Sequence, residues 1–102
     1  MKQFLGLLAL ASSAALFVHA DDFTGYIVDK SCAGKKAMRT NEACFKTCTG
    51  RGDAAMFVTE DGKIYQVAEQ DKVMSLGGKK VVVTGKITGE TISVEKIAAK
   101  AD

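Results

Sequence analysis

The chain has 102 residues, 25% of them charged, and a formal net charge of +2. This length suits one small domain, and small domains often need a disulfide or a metal ion to support a limited core. The near-neutral charge and the dispersed lysines argue against nucleic acid and against an anionic membrane surface as partners.

Residues 1–20 have the layout of a secretory signal peptide. Lys2 gives a positive start, residues 4–18 form an apolar run, and Val18-His19-Ala20 suits a cleavage site. We therefore expect residues 21–102 to form a single exported domain, periplasmic or extracellular, with no membrane attachment after cleavage. Cysteines in such a compartment are usually oxidised.

His19 is the only histidine of the chain and would be removed with this leader. The remaining residues would offer no Ser-His or Cys-His pair for nucleophilic catalysis and no imidazole ligand for a metal. We therefore predict that the protein is not an enzyme. A catalytic site built from acids alone stays open.

The first three predicted strands lie in the first two thirds of the chain. Residues 23–28 are β-branched and aromatic, and Gly25 predicts a bulge or a bend within them. Residues 55–59 and 63–67 flank Asp61-Gly62, which is a strong signal for a β-hairpin.

The last two predicted strands form a second hairpin. Residues 80–87 and 91–95 are joined around Gly89-Glu90, where a glycine at the first central position suits a type II′ turn. Gly85 predicts a further bend in the fourth strand. Residues 98–102 are expected to fray.

Two segments have helical character. Residues 41–48 predict a short helix with Thr40 or Asn41 as its cap and Gly50 as its end, and residues 68–76 predict another. Five strands with a helix between the third and fourth is the order of an OB-fold, a small Greek-key barrel. We predict a mostly β, OB-like barrel with a cysteine-bearing connection between strands 1 and 2. An open five-stranded sheet with the same elements is the alternative.

Four motifs cover nearly all of the chain after residue 20. They are FTGYIVDKSC from Phe23, ACFKTC from Ala43, FVTEDGKIY from Phe57 and VTGKITGETI from Val83. With these motifs the chain resembles small exported bacterial proteins with an OB-like barrel, a domain of unknown function. The resemblance implies a fold and an exported location, and it implies no activity.

The three cysteines, Cys32, Cys44 and Cys48, allow several interpretations because their number is odd. Two residues four apart on a helix have Cβ atoms about 5–6 Å apart. An unstrained disulfide needs about 3.8 Å. We therefore expect a structural disulfide from Cys32 to either Cys44 or Cys48, worth about 3 kcal/mol. The third cysteine would be free or would link two copies into a dimer.

Two other interpretations give the same cysteines a chemical role. Three thiolates suit a soft ion such as Cu(I) or Zn(II), with water, a carboxylate or Met38 as the fourth ligand. Thiol redox chemistry is the other, although the C-x-x-C motif typical of it is absent.

The aromatic residues Tyr26, Phe57 and Tyr65 fall on strands 1 to 3 and form a possible binding face, or else belong to the core. We expect a non-catalytic binding or interaction module without a cofactor, as a monomer or a cysteine-linked dimer. Its partner would be an unidentified small molecule or protein. A soft-metal or thiol-redox protein is the alternative.

Overall fold

The computed structural model describes residues 19–101, and the structural statements below refer to this part of the chain. The predicted signal peptide falls on residues 1–20, of which 1–18 lie outside the described residues. Within residues 19–101, no helix has the length and the apolar character needed to cross a membrane.

The protein is mostly β, as predicted, with five strands and two short helices. In chain order these are β1 (Asp21–Asp29), α1 (Glu42–Gly50), β2 (Ala55–Thr59), β3 (Ile64–Val67), α2 (Gln70–Val73), β4 (Lys80–Thr88) and β5 (Thr91–Ala99). Three 3₁₀ turns, Lys30–Cys32, Lys36–Met38 and Met74–Leu76, complete the connections. Each predicted strand is present, and each predicted helix appears in the expected connection.

The five strands form one sheet that closes on itself. Hydrogen-bonded neighbours follow in the order β1-β2-β3-β5-β4, and β1 pairs with both β2 and β4. All of these pairs are antiparallel except β3 with β5, which is parallel. The long connection between β1 and β2 contains α1 and the three cysteines.

The last strand is longer than the sequence predicts. Ala98 and Ala99, expected to fray, pair with the start of β4. The N–H of Lys100 also donates to the carbonyl of Lys80 at 2.9 Å. The prediction of a frayed end is therefore wrong up to residue 100, because β4 offers a full row of backbone partners to a segment with weak strand propensity.

Two glycines mark places where neighbouring strands approach closely. A Cβ atom on Gly85 would lie 2.0 Å from the carbonyl oxygen of Ser93, at a register shift between β4 and β5. A Cβ atom on Gly25 would lie 2.3 Å from the carbonyl oxygen of Val58. The predicted bend is thus a register shift at Gly85. At Gly25 the ladder with β4 continues without a shift, and the ladder with β2 begins.

The core divides between the two faces of the sheet. The inner cluster fills the closed sheet and comprises Ile27, Phe45, Ala55, Phe57, Val67, Val73, Val81, Val83, Ile92 and Val94. The outer cluster lies against the other face of β1 and β2 and has Val28, Cys32, Ala33, Met56 and Val58 at its centre. Because neighbouring residues on a strand point to opposite faces, β1 and β2 contribute to both clusters.

Helix α1 is attached to the inner cluster through Phe45, which is 3% exposed. A Cβ atom on Gly77 would lie only 1.9 Å from the ring of Phe45, so the ring occupies the space that a side chain at residue 77 would need. This contact fixes α1 across the sheet and thereby places the cysteines.

Glu69 connects the start of α2 to β5. Its carboxylate accepts hydrogen bonds from the N–H of Val94 at 2.6 Å and from the hydroxyl of Ser93 at 2.8 Å. These two bonds hold the pKa of Glu69 below its ordinary value of 4.5. A carboxyl group with a lowered pKa in the folded state stabilises the fold above its unfolded pKa, and this contribution disappears as the pH falls through the folded pKa.

We expect Glu69→Gln to lower the free energy of unfolding by about 1 kcal/mol at pH 7, because the amide nitrogen cannot accept the Ser93 hydroxyl. Urea unfolding of wild type and variant from pH 7 to pH 3 measures this, and the difference should shrink below pH 4.5. Glu95→Gln, an exposed change on the same strand, is the control. Equal stability of Glu69→Gln and wild type at pH 7 would show that these bonds contribute nothing.

Candidate thiol and carboxylate site

Three thiols and one buried carboxylate meet where β1 and α1 face each other. We call the four residues Asp29, Cys32, Cys44 and Cys48 the cysteine site. Asp29 is the last residue of β1, Cys32 ends the following 3₁₀ turn, and the other two lie on α1.

Helix α1 begins as the sequence predicts. Asn41 is the cap, and its side-chain oxygen accepts a hydrogen bond from the N–H of Cys44 at 2.9 Å. The helix ends at Gly50. Because residues four apart share one face of a helix, Cys44 and Cys48 both turn to the same side.

Cys44 lies between the other two cysteines. Its Sγ atom is 3.6 Å from that of Cys32 and 3.9 Å from that of Cys48. A disulfide bond is about 2.05 Å long, so all three residues are free thiols here. The expected disulfide remains a prediction. Of the two sulfur–sulfur distances, the one between Cys32 and Cys44 is the shorter.

Asp29 is the buried charged residue of the described chain, with 1% of its surface exposed. Among the described residues, its Oδ2 atom has no hydrogen-bond partner. A carboxylate oxygen that is buried without a partner is costly, and proteins usually satisfy a buried carboxylate with a cation, a metal ion or further hydrogen bonds.

The donor atoms form two overlapping groups that share Asp29. The first group has one ligand atom from each of three residues, all within 4.8 Å of one another: Asp29, Cys32 and Cys44. The same holds for Asp29, Cys48 and Asp53. Within the described residues, the site is therefore a chain of donors that runs from the buried Cys32 to the less buried Asp53.

Asp53, in the loop before β2, is held in place by Ser31. Its Oδ2 atom accepts a hydrogen bond from the N–H of Ser31 at 3.0 Å and another from the Ser31 hydroxyl. These bonds lower the pKa of Asp53. A cavity of about 250 Å³, lined by Ser31, Cys48, Arg51 and Asp53, leads from solvent to this side of the site.

The thiols on α1 are weak acids. The hydrogen bond with Cys32, and then burial, raise the pKa of Cys44 to about 12. Burial, and then a hydrogen bond with the Asp29 carboxylate, raise the pKa of Cys48. Reactive cysteines have lowered pKa values because a cation stabilises the thiolate. The raised pKa values of Cys44 and Cys48 are opposite in direction to those of such cysteines.

The aromatic residues proposed as a binding face are not brought together on one exposed surface. Phe57 is fully buried in the inner cluster, and Tyr65, directly across from it on β3, packs against the same cluster. Tyr26 lies on the opposite face of the sheet, with the outer cluster, where the Arg39 guanidinium stands 5.6 Å from its ring centre. Alternation along the strands separates the three rings.

Met38, one of the candidates for the fourth ligand, packs against the outer cluster together with Cys44. Asp29, in contrast, was not predicted as a site residue, because an aspartate at the end of a strand usually begins a solvated turn. Its position three residues before Cys32 is the only sequence signal that could have pointed to it.

Comparisons with protein-family models, with curated proteins and with solved structures found no match. The resemblance to exported OB-like proteins therefore remains a prediction, and the function is argued from the geometry of the site.

Proposed function

We propose that the protein binds a zinc ion through Asp29, Cys32, Cys44 and Cys48. The observation that carries this proposal is the buried Oδ2 atom of Asp29, which has no partner among the described residues. The Asp29 carboxylate groups with Cys32 and Cys44 on one side and with Cys48 on the other. A dication at this point would supply the missing partner and would convert the thiols to thiolates.

The separations between the sulfur atoms agree with this proposal. A tetrahedral ion with Zn–S bonds of about 2.3 Å holds two sulfur ligands about 3.8 Å apart. The distances of 3.6 Å and 3.9 Å from Cys44 to its two neighbours lie on either side of this value. Cys44 can therefore share an ion with either neighbour at these separations, and binding of all three sulfurs to one ion would bring Cys48 and Cys32 together around it.

The mixed donor set favours Zn(II) over Cu(I). Thiolates bind both ions, but a carboxylate suits the harder Zn(II). Cu(I) held by the three sulfurs alone would leave the Asp29 oxygen without a partner. Four protein ligands are typical of zinc sites that do not catalyse reactions, because no coordination position is open to a substrate.

The second candidate is a non-catalytic binding module held by a disulfide. The Sγ atoms of Cys32 and Cys44 are 3.6 Å apart, which favours a disulfide between these two residues over one that includes Cys48. Cys48 would then be free to link two copies, and the ligand of the module would be a small molecule or a protein. Export to the periplasm or the cell exterior, which we also propose, would favour oxidation.

We further propose that the fold is an OB-like Greek-key barrel. The strand order β1-β2-β3-β5-β4 and the position of α2 between β3 and β4 support this assignment. The enlarged connection between β1 and β2 would then be the element that carries the function.

Zinc titration of the reduced protein tests the main proposal. We expect one zinc per chain by native mass spectrometry, and an affinity at least about tenfold lower for Asp29→Asn. Asp61→Asn, in the exposed turn between β2 and β3, is the matched control. Absence of bound zinc at micromolar concentrations, or equal affinity of Asp29→Asn and wild type, would overturn the proposal. Protein purified in air with one alkylatable thiol and no metal would support the disulfide-held module instead.

A further inference from the structure

We propose that Asp29, Cys48 and Asp53 form an outer ion position, through which zinc enters and leaves the cysteine site. This inference rests on the proposed function. It makes the protein a carrier that exchanges its ion with other ligands, whereas a structural zinc site would keep its ion.

The outer ion position adjoins an inner one, which consists of Asp29, Cys32 and Cys44. The outer donors lie within 4.8 Å of one another, as do those of Asp29, Cys32 and Cys44, and Asp29 belongs to both groups. The Sγ atoms of Cys48 and Cys44 are 3.9 Å apart. An ion can therefore pass from one position to the other while Asp29 continues to hold it.

The two ion positions differ in their access to solvent. Asp29 and Cys32, with 1% and 7% of their surfaces exposed, are closed to solvent. The cavity of about 250 Å³ is lined by Cys48 and Asp53, and by neither Cys32 nor Cys44. A water molecule occupies about 30 Å³ of liquid, so a partly hydrated ion fits this cavity. Entry through it reaches Cys48 and Asp53 before the other donors.

Ser31 orients the side chain of Asp53 through two hydrogen bonds. Both hydrogen bonds from Ser31 end on Oδ2, so Ser31 orients the carboxylate and does not occupy Oδ1. The second carboxylate of the outer position, Asp29, has a buried oxygen with no partner among the described residues. Lys30 and Arg51 also lie near Asp53, so attraction of a dication to this position depends on both carboxylates together.

The exchange involves ligands and protons and no change of oxidation state. Asp53 and Asp29 replace water on the incoming ion, and Cys48 binds it as its thiol proton passes to solvent. Cys44 and Cys32 then bind in turn, each releasing one proton, while Asp53 leaves the ion and keeps its contact with Ser31. Release to a competing chelator reverses these steps, and the thiols regain their protons.

Asp53→Asn tests the outer position. The amide oxygen can still accept both hydrogen bonds from Ser31, so the change removes the charge and keeps the loop contact. We expect zinc uptake, and zinc release to the chromophoric chelator 4-(2-pyridylazo)resorcinol, to slow by the same factor of at least about 10 in stopped-flow measurements. The Kd for zinc should stay unchanged.

Asp61→Asn is the matched control, because Asp61 also accepts a hydrogen bond from a nearby hydroxyl, that of Thr59, far along the chain from the cysteines. It should exchange zinc at the wild-type rate. Ser31→Ala provides a second variant that keeps both carboxylates, and the loss of orientation at Asp53 should slow exchange by a smaller factor. If Asp53→Asn fails to fold, the exchange rate of Ser31→Ala tests the outer position in its place.

The outcomes separate the two proposals. Wild-type protein that binds no zinc overturns the proposed function and this inference with it. Wild-type protein that binds zinc, together with Asp53→Asn exchanging it at the wild-type rate, overturns the outer position alone. A weaker Kd with faster release in Asp53→Asn would make Asp53 a permanent ligand, and would equally overturn an exchange role.

Discussion

Cys44→Ser is expected to weaken zinc binding by about 100-fold, because Cys44 is the sulfur that contacts both of the other two. A structural zinc site of four ligands is worth about 10–16 kcal/mol, so one thiolate accounts for roughly 3 kcal/mol. Serine has nearly the same shape and is a poor zinc ligand at neutral pH. Competition with a chelator of known affinity measures the change.

Thr47→Ala, on the same helix, is the control for this change. The Thr47 hydroxyl donates to the carbonyl of Ala43 and its side chain is exposed, so zinc affinity should stay at the wild-type value. Wild-type affinity in Cys44→Ser would contradict the proposed ligand set.

Cys48→Ser separates the zinc site from the disulfide-held module. A zinc site loses a ligand in this variant, so its affinity should also fall steeply. A module held by Cys32 and Cys44 loses only its free thiol, so its stability should not change.

Gly85→Ala is expected to lower the free energy of unfolding by about 3 kcal/mol, the upper range for overpacking a site that cannot relax. A Cβ atom there would lie 2.0 Å from the carbonyl oxygen and 3.1 Å from the carbonyl carbon of Ser93. Both are backbone atoms, so β4 and β5 would have to separate. Urea unfolding of the reduced protein, without metal, measures the loss.

Gly34→Ala serves as the comparison, since nothing lies within 4 Å of a Cβ atom at that position. Its stability should stay within about 0.5 kcal/mol of wild type. If Gly85→Ala were equally close to wild type, the close approach of the two strands would not be a constraint on the sequence.

Local signals predicted the strands well, because the turns between them are specified by single residues. Gly62 and Gly89, at the two predicted hairpins, have φ angles of +96° and +60°, which glycine adopts easily and other residues rarely do. The extension of β5 to Ala99 could not be predicted from propensity. It depends on the backbone partners that β4 provides, a tertiary effect.

The candidate site was predictable only in part. The four-residue spacing predicted that Cys44 and Cys48 share a face of α1, and the structure agrees. The arrival of Cys32 beside them depends on how α1 packs on the sheet through Phe45, which no local pattern specifies. The burial of Asp29 likewise arises only when the chain after β1 returns over the end of that strand.

The place of Phe45 in the inner cluster has a thermodynamic consequence. Helix α1 carries this ring one residue after Cys44, and the ring fills the space beside Gly77. The helix therefore cannot detach without opening the core, and a ligand held on its other face is linked to global unfolding. By mass action, an ion present at 100 times its Kd would add about 2.7 kcal/mol to the stability of the whole domain.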